Sequence, residues 1–456
     1  QKLCEKVLAA SGYFTNFGVA NNNDMKVQNS SEISAFGGIN FVFEHLENKK
    51  VGQLFNKHLP VFKNQSKYSW KDILYSLTSI YLCGGDCIED LQAHLRPHFK
   101  NNPFVKMPSP DTVLRRLAQL SQENKQCKTK RGKVQHIYNT NKTLEQLNVK
   151  LLESLGVFRA KEIVLDYDNT ILFSEKSDCS MTYKRHRGYQ PGVCTINEDY
   201  ILYLENRGGN SDAKSFQHET IERFLSLLSS KFPGKPDHFR ADAASYQYEV
   251  VKLLEQKVKN FYIGCRNSYV EKYFTQPESW EDVKDKHGDI VMQVGEVKIK
   301  PFGRQASKIR EEPQEYRLII KRKLKKVRQV DLITGDEYEY RAILTNNKQL
   351  SAVEIAHFYN HRGNMEKQFD IMKNDFGWDN MPFSNMGNNT VFLYMMAMLK
   401  NLYNNIINYF SNVAEGLRPQ YRIKKFLFRF IILPAKWVRR SRQIILRVYG
   451  KHNYVN

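Results

Sequence analysis

The stretch Tyr359-Asn-His-Arg-Gly-Asn-Met-Glu-Lys-Gln-Phe-Asp-Ile-Met-Lys373 lies in a predicted helix that begins after Ser351. Ser351 and Glu354 have the spacing of a capping box, which marks a helix N-terminus. At about 100° per residue, four polar side chains share an arc of about 60° on this helix: Tyr359, Arg362, Glu366 and Lys373. Such a face suits a phosphodiester beside a metal ion, because it offers an anionic ligand together with donors and cations for phosphate oxygens. A solvated helix face with charge pairs is the alternative interpretation.

The charge of the whole chain favours a polyanionic partner. The 456 residues include 69 Lys and Arg against 48 Asp and Glu, a formal net charge of +21. This excess indicates nucleic acid first and an anionic membrane second. The hydrophobic fraction of 41% argues against global disorder. A chain of this length is expected to form about two to four domains.

Membrane and export signals are not evident in the sequence. The apolar run at residues 391–399 stops at Lys400, well short of the roughly 20 residues of a membrane span. The N-terminal residues lack a basic-then-apolar signal layout. The seven cysteines are scattered, and Cys83 and Cys87 have no second pair with which to form a zinc site. We therefore expect a reduced, cytosolic protein with no membrane association.

The N-terminal third is predicted to be helical. Residues 1–35 read as a flexible lead-in, and residues 36–150 as a helical DNA-binding domain with a basic linker, exposed around residues 121–140. Ser109, Pro110 and Asp111 are typical of a helix start. A short helix, a turn and this helix suggest a helix-turn-helix with Arg115 and Arg116 facing DNA, although any helical bundle contains such pairs.

The rest of the chain alternates between strand and helix patterns. Residues 160–266 predict three strands, a helix, a strand, a helix and a strand, which is a mixed α/β core. Residues 267–346 predict a β-rich insertion with basic outward positions that include Lys321 and Lys323. Residues 347–410 return to helix, and residues 411–456 form a basic, aromatic and predominantly helical tail. Cations interleaved with aromatic residues there, Arg439 and Arg440 among them, favour DNA binding or dimerisation over a membrane-surface helix.

Three carboxylates lie at the end or on one face of an element of the predicted core. They are Asp168 (or Asp166), Asp242 and Glu366. Two-metal phosphoryl transfer uses carboxylates from separate elements to hold two divalent ions about 3.5–4 Å apart. Magnesium prefers such oxygen ligands. The alternative is that each acid is a turn or cap residue.

The chain resembles bacterial insertion-sequence transposases of the DDE class. Within that class it is similar to the branch marked by a Tyr-Arg-Glu-Lys signature and a β-rich insertion before the last acid. Tyr359, Arg362, Glu366 and Lys373 reproduce the Tyr-x₂-Arg-x₃-Glu-x₆-Lys spacing, and the match covers roughly residues 160–380. The resemblance implies a multidomain α/β protein in which an RNase H-like mixed sheet is interrupted by the insertion.

The resemblance also implies roles for individual residues. Asp168, Asp242 and Glu366 would bind two Mg²⁺ ions, with Mn²⁺ as a substitute, and Asp166 is the alternative first acid. Tyr359, Arg362 and Lys373 would contact DNA phosphates. Trp280 is either the aromatic residue of the insertion that traps a flipped base or part of the core.

The activity that the resemblance implies is cut-and-paste DNA transposition. The enzyme would cleave double-stranded DNA at terminal inverted repeats and transfer the 3′-hydroxyl into target DNA. A homodimer in a synaptic complex is expected, because two ends must be joined. The protein would work in the bacterial cytoplasm, on the nucleoid.

Two other functions stay open on the sequence. Residues 163–170 also fit the Asp-x-Asp-x-Thr motif of haloacid-dehalogenase-like phosphatases, with Asp166 as nucleophile and Asp168 as general acid. A non-enzymatic DNA-binding protein would use the charge and the helix-turn-helix, but it would leave the aligned acids unexplained.

Overall fold

A single large sheet organises the computed structural model, which describes residues 33–62, 66–128, 135–325 and 338–450. The eleven strands of this sheet are β1 (Lys125–Lys128), β2 (Gln135–Asn139), β3 (Val164–Asn169), β7 (Gly192–Ile196), β8 (Tyr200–Arg207), β9 (His238–Ala241), β10 (Asn260–Gly264), β11 (Glu281–Lys284), β12 (Ile290–Ile299), β13 (Tyr316–Leu324) and β14 (Tyr338–Thr345). They lie side by side in the order β1-β2-β8-β7-β3-β9-β10-β14-β13-β12-β11. Strands β3, β9 and β10 run parallel, and the other pairs are antiparallel.

The remaining strands of the described residues form two small sheets. A three-stranded ribbon follows β3 and contains β4 (Leu172–Phe173), β5 (Ser180–Met181) and β6 (Arg187–Tyr189). A hairpin near the C-terminus contains β15 (Ala435–Arg440) and β16 (Gln443–Val448).

Helices cover both faces of the large sheet. They are α1 (Ile39–Asn48), α2 (Val51–His58), α3 (Trp70–Leu82), α4 (Pro110–Ala118), α5 (Lys142–Ser154), α6 (Gln217–Ser229), α7 (Tyr248–Lys257), α8 (Asn267–Val270), α9 (Gly303–Lys308), α10 (Ala352–Asn360), α11 (Asn364–Asp375), α12 (Met386–Val413) and α13 (Ile423–Phe426). One face packs against α6 and α7 through residues such as Phe224 and Val250. The other face packs against α10, α11 and α12. A mixed sheet between helical layers confirms the predicted α/β class.

Helix α12 joins the two ends of the described chain in one hydrophobic core. Its 28 residues contact α1, α4 and β8 and share one hydrophobic core with α3. A helix that is apolar around most of its circumference is expected to be buried in this way. Within the described residues, no helix combines the length and the hydropathy that crossing a membrane requires.

Several local predictions are confirmed. Ser109 caps α4 by accepting a hydrogen bond from the Thr112 backbone N–H, with Pro110 at the first helical position. Ser351 and Glu354 form the predicted capping box of α10. The strands predicted around residues 290, 316–324 and 338–344 are antiparallel, and β14 pairs with β10, so they extend the core sheet. The proposed domain boundaries stay predictions.

Three expectations need correction. The helix predicted through residues 359–373 is interrupted by a 3₁₀ turn at His361–Gly363 between α10 and α11. The linker predicted at residues 121–140 contains β1 and β2, because β2 pairs with β8 at the sheet edge. Most of the predicted lead-in, and the segments 129–134, 326–337 and 451–456, lie outside the described residues.

The third correction concerns the C-terminal tail, which is not predominantly helical after residue 411. It contains α13, a π-helical turn at Leu427–Ile431 and the β15–β16 hairpin. Ser441 and Arg442 form the hairpin turn with φ values of 45° and 65°. Two successive left-handed residues match the right-handed twist of a hairpin, but Asn-Gly or Asp-Gly usually provides them. The sequence therefore lacked the common turn signal.

Candidate active site

A cleft of about 770 Å³ opens where the parallel strands end. Asp168 lies near the C-terminal end of β3, and Asp242 directly follows β9. Glu366, in the first turn of α11, lines the same cleft. The carboxyl ends of adjacent parallel strands meet at one sheet edge, so the topology brings together acids that are 74 residues apart.

Asp168 lies in the interior of this cleft. Its side chain is 16% exposed, and its Oδ2 accepts a hydrogen bond from Arg362 Nη1 at 3.0 Å. The backbone N–H of Asn169 donates to Oδ1 at 2.7 Å. Burial, together with the nearby negative charge of Asp242, raises the pKa of Asp168 to about 6, although the Arg362 guanidinium opposes the shift. A carboxyl group with a raised pKa beside a second carboxylate forms a site that a cation would stabilise.

Asp242 and Glu366 are held differently. Asp242 caps the 3₁₀ turn Ala243–Ser245, where its Oδ1 accepts from the Ala244 N–H at 2.9 Å. The Glu366 side chain is 75% exposed and lies 3.7 Å from Arg362 Nη2. Among the described residues, the one set of three potential ligand atoms within 4.8 Å of each other is Asp86, Cys87 and Asp90. The three cleft acids therefore share a cleft without converging to that distance.

The remaining signature residues surround the acids. Tyr359 Oη donates to the Ala241 carbonyl at 3.1 Å, and burial raises the pKa of Tyr359. Lys373 Nζ donates to the Ile171 carbonyl at 2.7 Å, and burial lowers the pKa of Lys373. Arg362 bridges Asp168 and Glu366. Tyr359 and Arg362 thus link the α10–α11 region to the C-terminal ends of β9 and β3, despite the 3₁₀ turn.

Asp166 does not line the cleft. It is 1% exposed and forms two hydrogen bonds of 2.7 Å with Arg240, from Nε and from Nη2. Arg240 also bonds Glu198 and the Phe358 carbonyl, and its guanidinium lies 4.7 Å from the Phe358 ring centroid. Burial raises the pKa of Asp166 in spite of this partner. Although Asp166 and Asp168 share a strand face, the first is part of a buried ion pair.

The insertion residues lie outside the cleft. Lys321 Nζ donates to Asn360 Oδ1 at 2.7 Å, and burial, followed by nearby cations, lowers the pKa of Lys321 to about 8. Lys323 is exposed one position further from Lys321 along the same face. The Arg322 guanidinium covers the Trp280 ring at 3.9 Å from its centroid. Trp280 therefore packs against other residues of the insertion and does not line the cleft.

The predicted DNA-binding arginines of the two ends lie outside the lining of the cleft. Arg115 is exposed on α4, whereas the Arg116 guanidinium lies 4.0 Å from the Phe62 ring centroid and donates to Ser66 Oγ. Arg439 and Arg440 are exposed at the end of β15. None of these four residues lines the cleft.

Three basic residues that line the cleft were not predicted from the sequence: Lys184, Lys214 and Arg266. Arg266 lies two residues after β10, and Lys214 precedes α6. Arg266 carried a usable signal, because it follows a parallel strand at the same edge as Asp168 and Asp242. The sequence around Lys214 contained no such signal, because this residue lies in a loop that approaches the cleft only in the folded protein.

The donor set fits a divalent metal that prefers oxygen ligands. Asp168, Asp242 and Glu366 offer carboxylate oxygens, which are the ligands that Mg²⁺ prefers, and burial together with the charge of Asp242 raises the pKa of Asp168. No cysteine or histidine lines this cleft, so a site for a softer metal is not favoured there.

Two solved transposase structures are similar to parts of this chain. A cryo-EM structure of the piggyBac transposase synaptic complex with hairpin DNA is 12% identical over 88% of this chain and 83% of that chain, with a TM-score of 0.41. A Mos1 transposase paired-end complex with the left transposon end is 12% identical over 56% of this chain and 65% of that chain, with a TM-score of 0.17. No curated protein sequence matches this one. The family model Transposase DDE domain group 1 matches residues 17–455, and the chain therefore belongs to the DDE transposase family.

Proposed function

We propose that this chain is a cut-and-paste DNA transposase that uses Asp168, Asp242 and Glu366 as the ligands of two Mg²⁺ ions. The observation that carries the proposal is their common position in one cleft, bordered by Tyr359 and Arg362. The order β8-β7-β3-β9-β10, with parallel strands only at its second half, supports an RNase H-like core. Bound there, Mg²⁺ or Mn²⁺ would activate the attacking oxygen and stabilise the leaving oxygen.

The side chains of the cleft have complementary tasks. Asp168 and Asp242 are fixed by backbone N–H groups, so they present carboxylate oxygens in a defined position. Glu366 is exposed and linked to the cleft by Arg362, so it can complete the ligand set by a side-chain rotation. Arg362 is then released from the acids to contact a phosphate of the cleaved strand. Lys373 would hold a second phosphate.

The proposed substrates are the terminal inverted repeats of the element and a target duplex. The net charge of +21 supports binding of a polyanion of this size. Arg115, Arg116, Lys321, Lys323, Arg439 and Arg440 are proposed as contacts to the flanking DNA. A homodimer is proposed because two ends must be held together for joining, and action on the bacterial nucleoid follows from such a substrate.

Membership of the family and the position of Asp166 oppose the phosphatase. A haloacid-dehalogenase-like mechanism needs Asp166 as an accessible nucleophile, but Arg240 engages both of its oxygens in the interior. A purely architectural DNA-binding protein would not require three acids in one cleft at the ends of parallel strands, of which Asp168 has a pKa raised by burial.

Replacement of Glu366 tests the proposed ligand set. We expect Glu366→Gln to lower cleavage and strand transfer by at least about a hundredfold, because an amide oxygen is a weak ligand for Mg²⁺. The substrate is a duplex of the inverted repeats that flank the gene, with Mg²⁺, and products are resolved on a denaturing gel.

The matched control is Glu222→Gln, which removes the same charge from an exposed helical glutamate outside the cleft. This control should cleave and join like wild type. Glu366→Gln protein with wild-type rates would overturn the assignment of Glu366.

A further inference from the structure

A second groove of about 720 Å³ adjoins the cleft. Lys214 lines both spaces, and the Gln247 side chain bonds the Lys214 carbonyl at 3.1 Å. Five aromatic residues line this second space, which we call the aromatic groove: Tyr246, Tyr248, Tyr269, Tyr273 and Phe302. A path therefore leads from the acids of the cleft to a set of aromatic rings.

The rings of the aromatic groove are arranged for stacking. Tyr246 and Tyr269 lie nearly parallel, with centroids 5.9 Å apart and an interplanar angle of 23°. Phe302 packs 4.9 Å from Tyr246 and has a φ of 63°, a left-handed conformation that bulky residues rarely adopt. Tyr269 is 53% exposed, so part of its ring surface faces solvent. This arrangement holds an aromatic surface open toward the groove.

The charges around the rings are mainly positive. Four cationic residues and one carboxylate, that of Glu249, line the groove; the cations are Lys214, Lys272, Lys300 and Arg304. Lys214 Nζ lies 5.9 Å from the Tyr269 centroid, and Lys272 Nζ lies 4.8 Å from the Tyr273 centroid. Aromatic faces beside cations match unpaired nucleotides, whose bases stack while their phosphates contact the ammonium groups. Duplex DNA offers phosphates but keeps its base faces covered.

We infer that the aromatic groove binds the unpaired DNA strand that adjoins the cleavage site, which passes Lys214 on its way from the cleft. The inference rests on the proposed function, in so far as that function places DNA in the cleft. It adds a single-strand site made by α8, by the start of α7 and by the loop before α9.

Binding measurements on the full chain test this inference without cleavage. The probes are a fluorescent duplex of arbitrary sequence, either blunt or with an unpaired tail of about eight thymidines. Fluorescence anisotropy in EDTA gives a Kd for each probe. We expect wild type to prefer the tailed probe, and Tyr269→Ala to weaken tailed binding about tenfold while blunt binding changes less than about twofold.

Tyr409→Ala is the matched control, because Tyr409 is 46% exposed and lies on α12 outside both spaces. It should keep the wild-type preference for the tail. A tail carrying iodouridine should also crosslink to the peptide that contains Tyr269, which checks the position of the strand in the unaltered protein.

Two results would overturn the inference. Wild type that binds both probes equally would show that no single-strand site exists. An equal loss of blunt and tailed binding in Tyr269→Ala would show that the groove holds duplex backbone instead. Because EDTA prevents cleavage, neither result depends on whether Glu366 is a metal ligand, and an active Glu366→Gln enzyme would leave the inference standing.

Discussion

Two aspartates in one strand have different surroundings. Asp166 is fully buried with Arg240, whereas Asp168 lies in the cleft beside Asp242 and Arg362. The strand alternation places both on one face, so spacing alone cannot separate them. Their surroundings differ because β9 places Arg240 opposite Asp166 in the register of the parallel pair.

The ion pair predicts that substitutions of these two aspartates change the stability of the protein by very different amounts. Asp166→Asn should lower the free energy of unfolding by about 3 kcal/mol, because it leaves the buried Arg240 with only the partly exposed Glu198 as a charge partner. Urea unfolding without metal measures the difference. Asp168→Asn is the control in the same strand, and it should leave the stability equal or higher, since burial and Asp242 disfavour the Asp168 carboxylate. Equal losses in the two variants would contradict this division.

At the scale of elements, the junction of α10 and α11 sets the cleft. The 3₁₀ turn His361–Gly363 lies between Tyr359 and Glu366, which the sequence placed on one helix. The four signature side chains still reach the cleft region, because the turn changes the winding by a small amount. Gly363 has φ −55° and ψ −16°, so its backbone is already helical.

Two glycine substitutions test this junction. Gly363→Ala should raise the free energy of unfolding by about 0.5–1 kcal/mol, because its conformation suits alanine and a Cβ there meets no atom within 4 Å. Chemical unfolding measures the effect.

Gly264→Ala on β10 is the opposing variant. Its Cβ would approach Tyr359 Oη at 2.4 Å, which displaces the tyrosine from the Ala241 carbonyl, so stability should fall. A Gly264→Ala protein that is as stable as wild type would contradict the close contact of Tyr359 with β10, and a Gly363→Ala protein that is less stable would contradict the helical conformation of the junction.

At the scale of the whole molecule, α12 connects the N-terminal helices to the sheet. Lys400 is buried at its middle and donates to the Asp199 carbonyl. Burial lowers the pKa of Lys400 to about 7, and Asp199 opposes the shift only in part. In the unfolded chain the same amine titrates near pH 10.4.

This buried amine predicts a pH dependence of stability. The unfolded chain binds more protons than the native protein between about pH 7 and pH 10.4, so the contribution of Lys400 to stability rises with pH across that window. Lys400→Met removes the cost of the buried charge. It should exceed wild type by about 2–4 kcal/mol near pH 6.5, and the gain should vanish by about pH 10.

Urea unfolding at several pH values checks this expectation. Lys257→Met is the control, because Lys257 is exposed at the end of α7. Its effect on the free energy of unfolding should be less than about 0.5 kcal/mol. A Lys400→Met protein that is less stable than wild type near pH 6.5 would show that the hydrogen bond to Asp199 outweighs the burial of the amine.

The sequence by itself determined the class of the fold and most of its elements. The sequence signals are local: the helix caps at Ser109 and Ser351, the strand patterns and the signature spacing from Tyr359 to Lys373. Such signals depend on residues close together in the chain, so they can be recognised from the sequence alone. The same spacing carried the resemblance to the DDE transposase family, which the family match confirms.

Only the tertiary structure decided which residues meet. The burial of Asp166 against Arg240 and the burial of Lys400 depend on residues that are distant in sequence. The same is true of the positions of Asp168, Lys214 and Arg266 in the lining of the cleft. The C-terminal hairpin was missed for a related reason, because Ser441 and Arg442 adopt left-handed conformations that their residue types do not favour. Pairing across the sheet and burial between layers are collective, so no single stretch of sequence contains them.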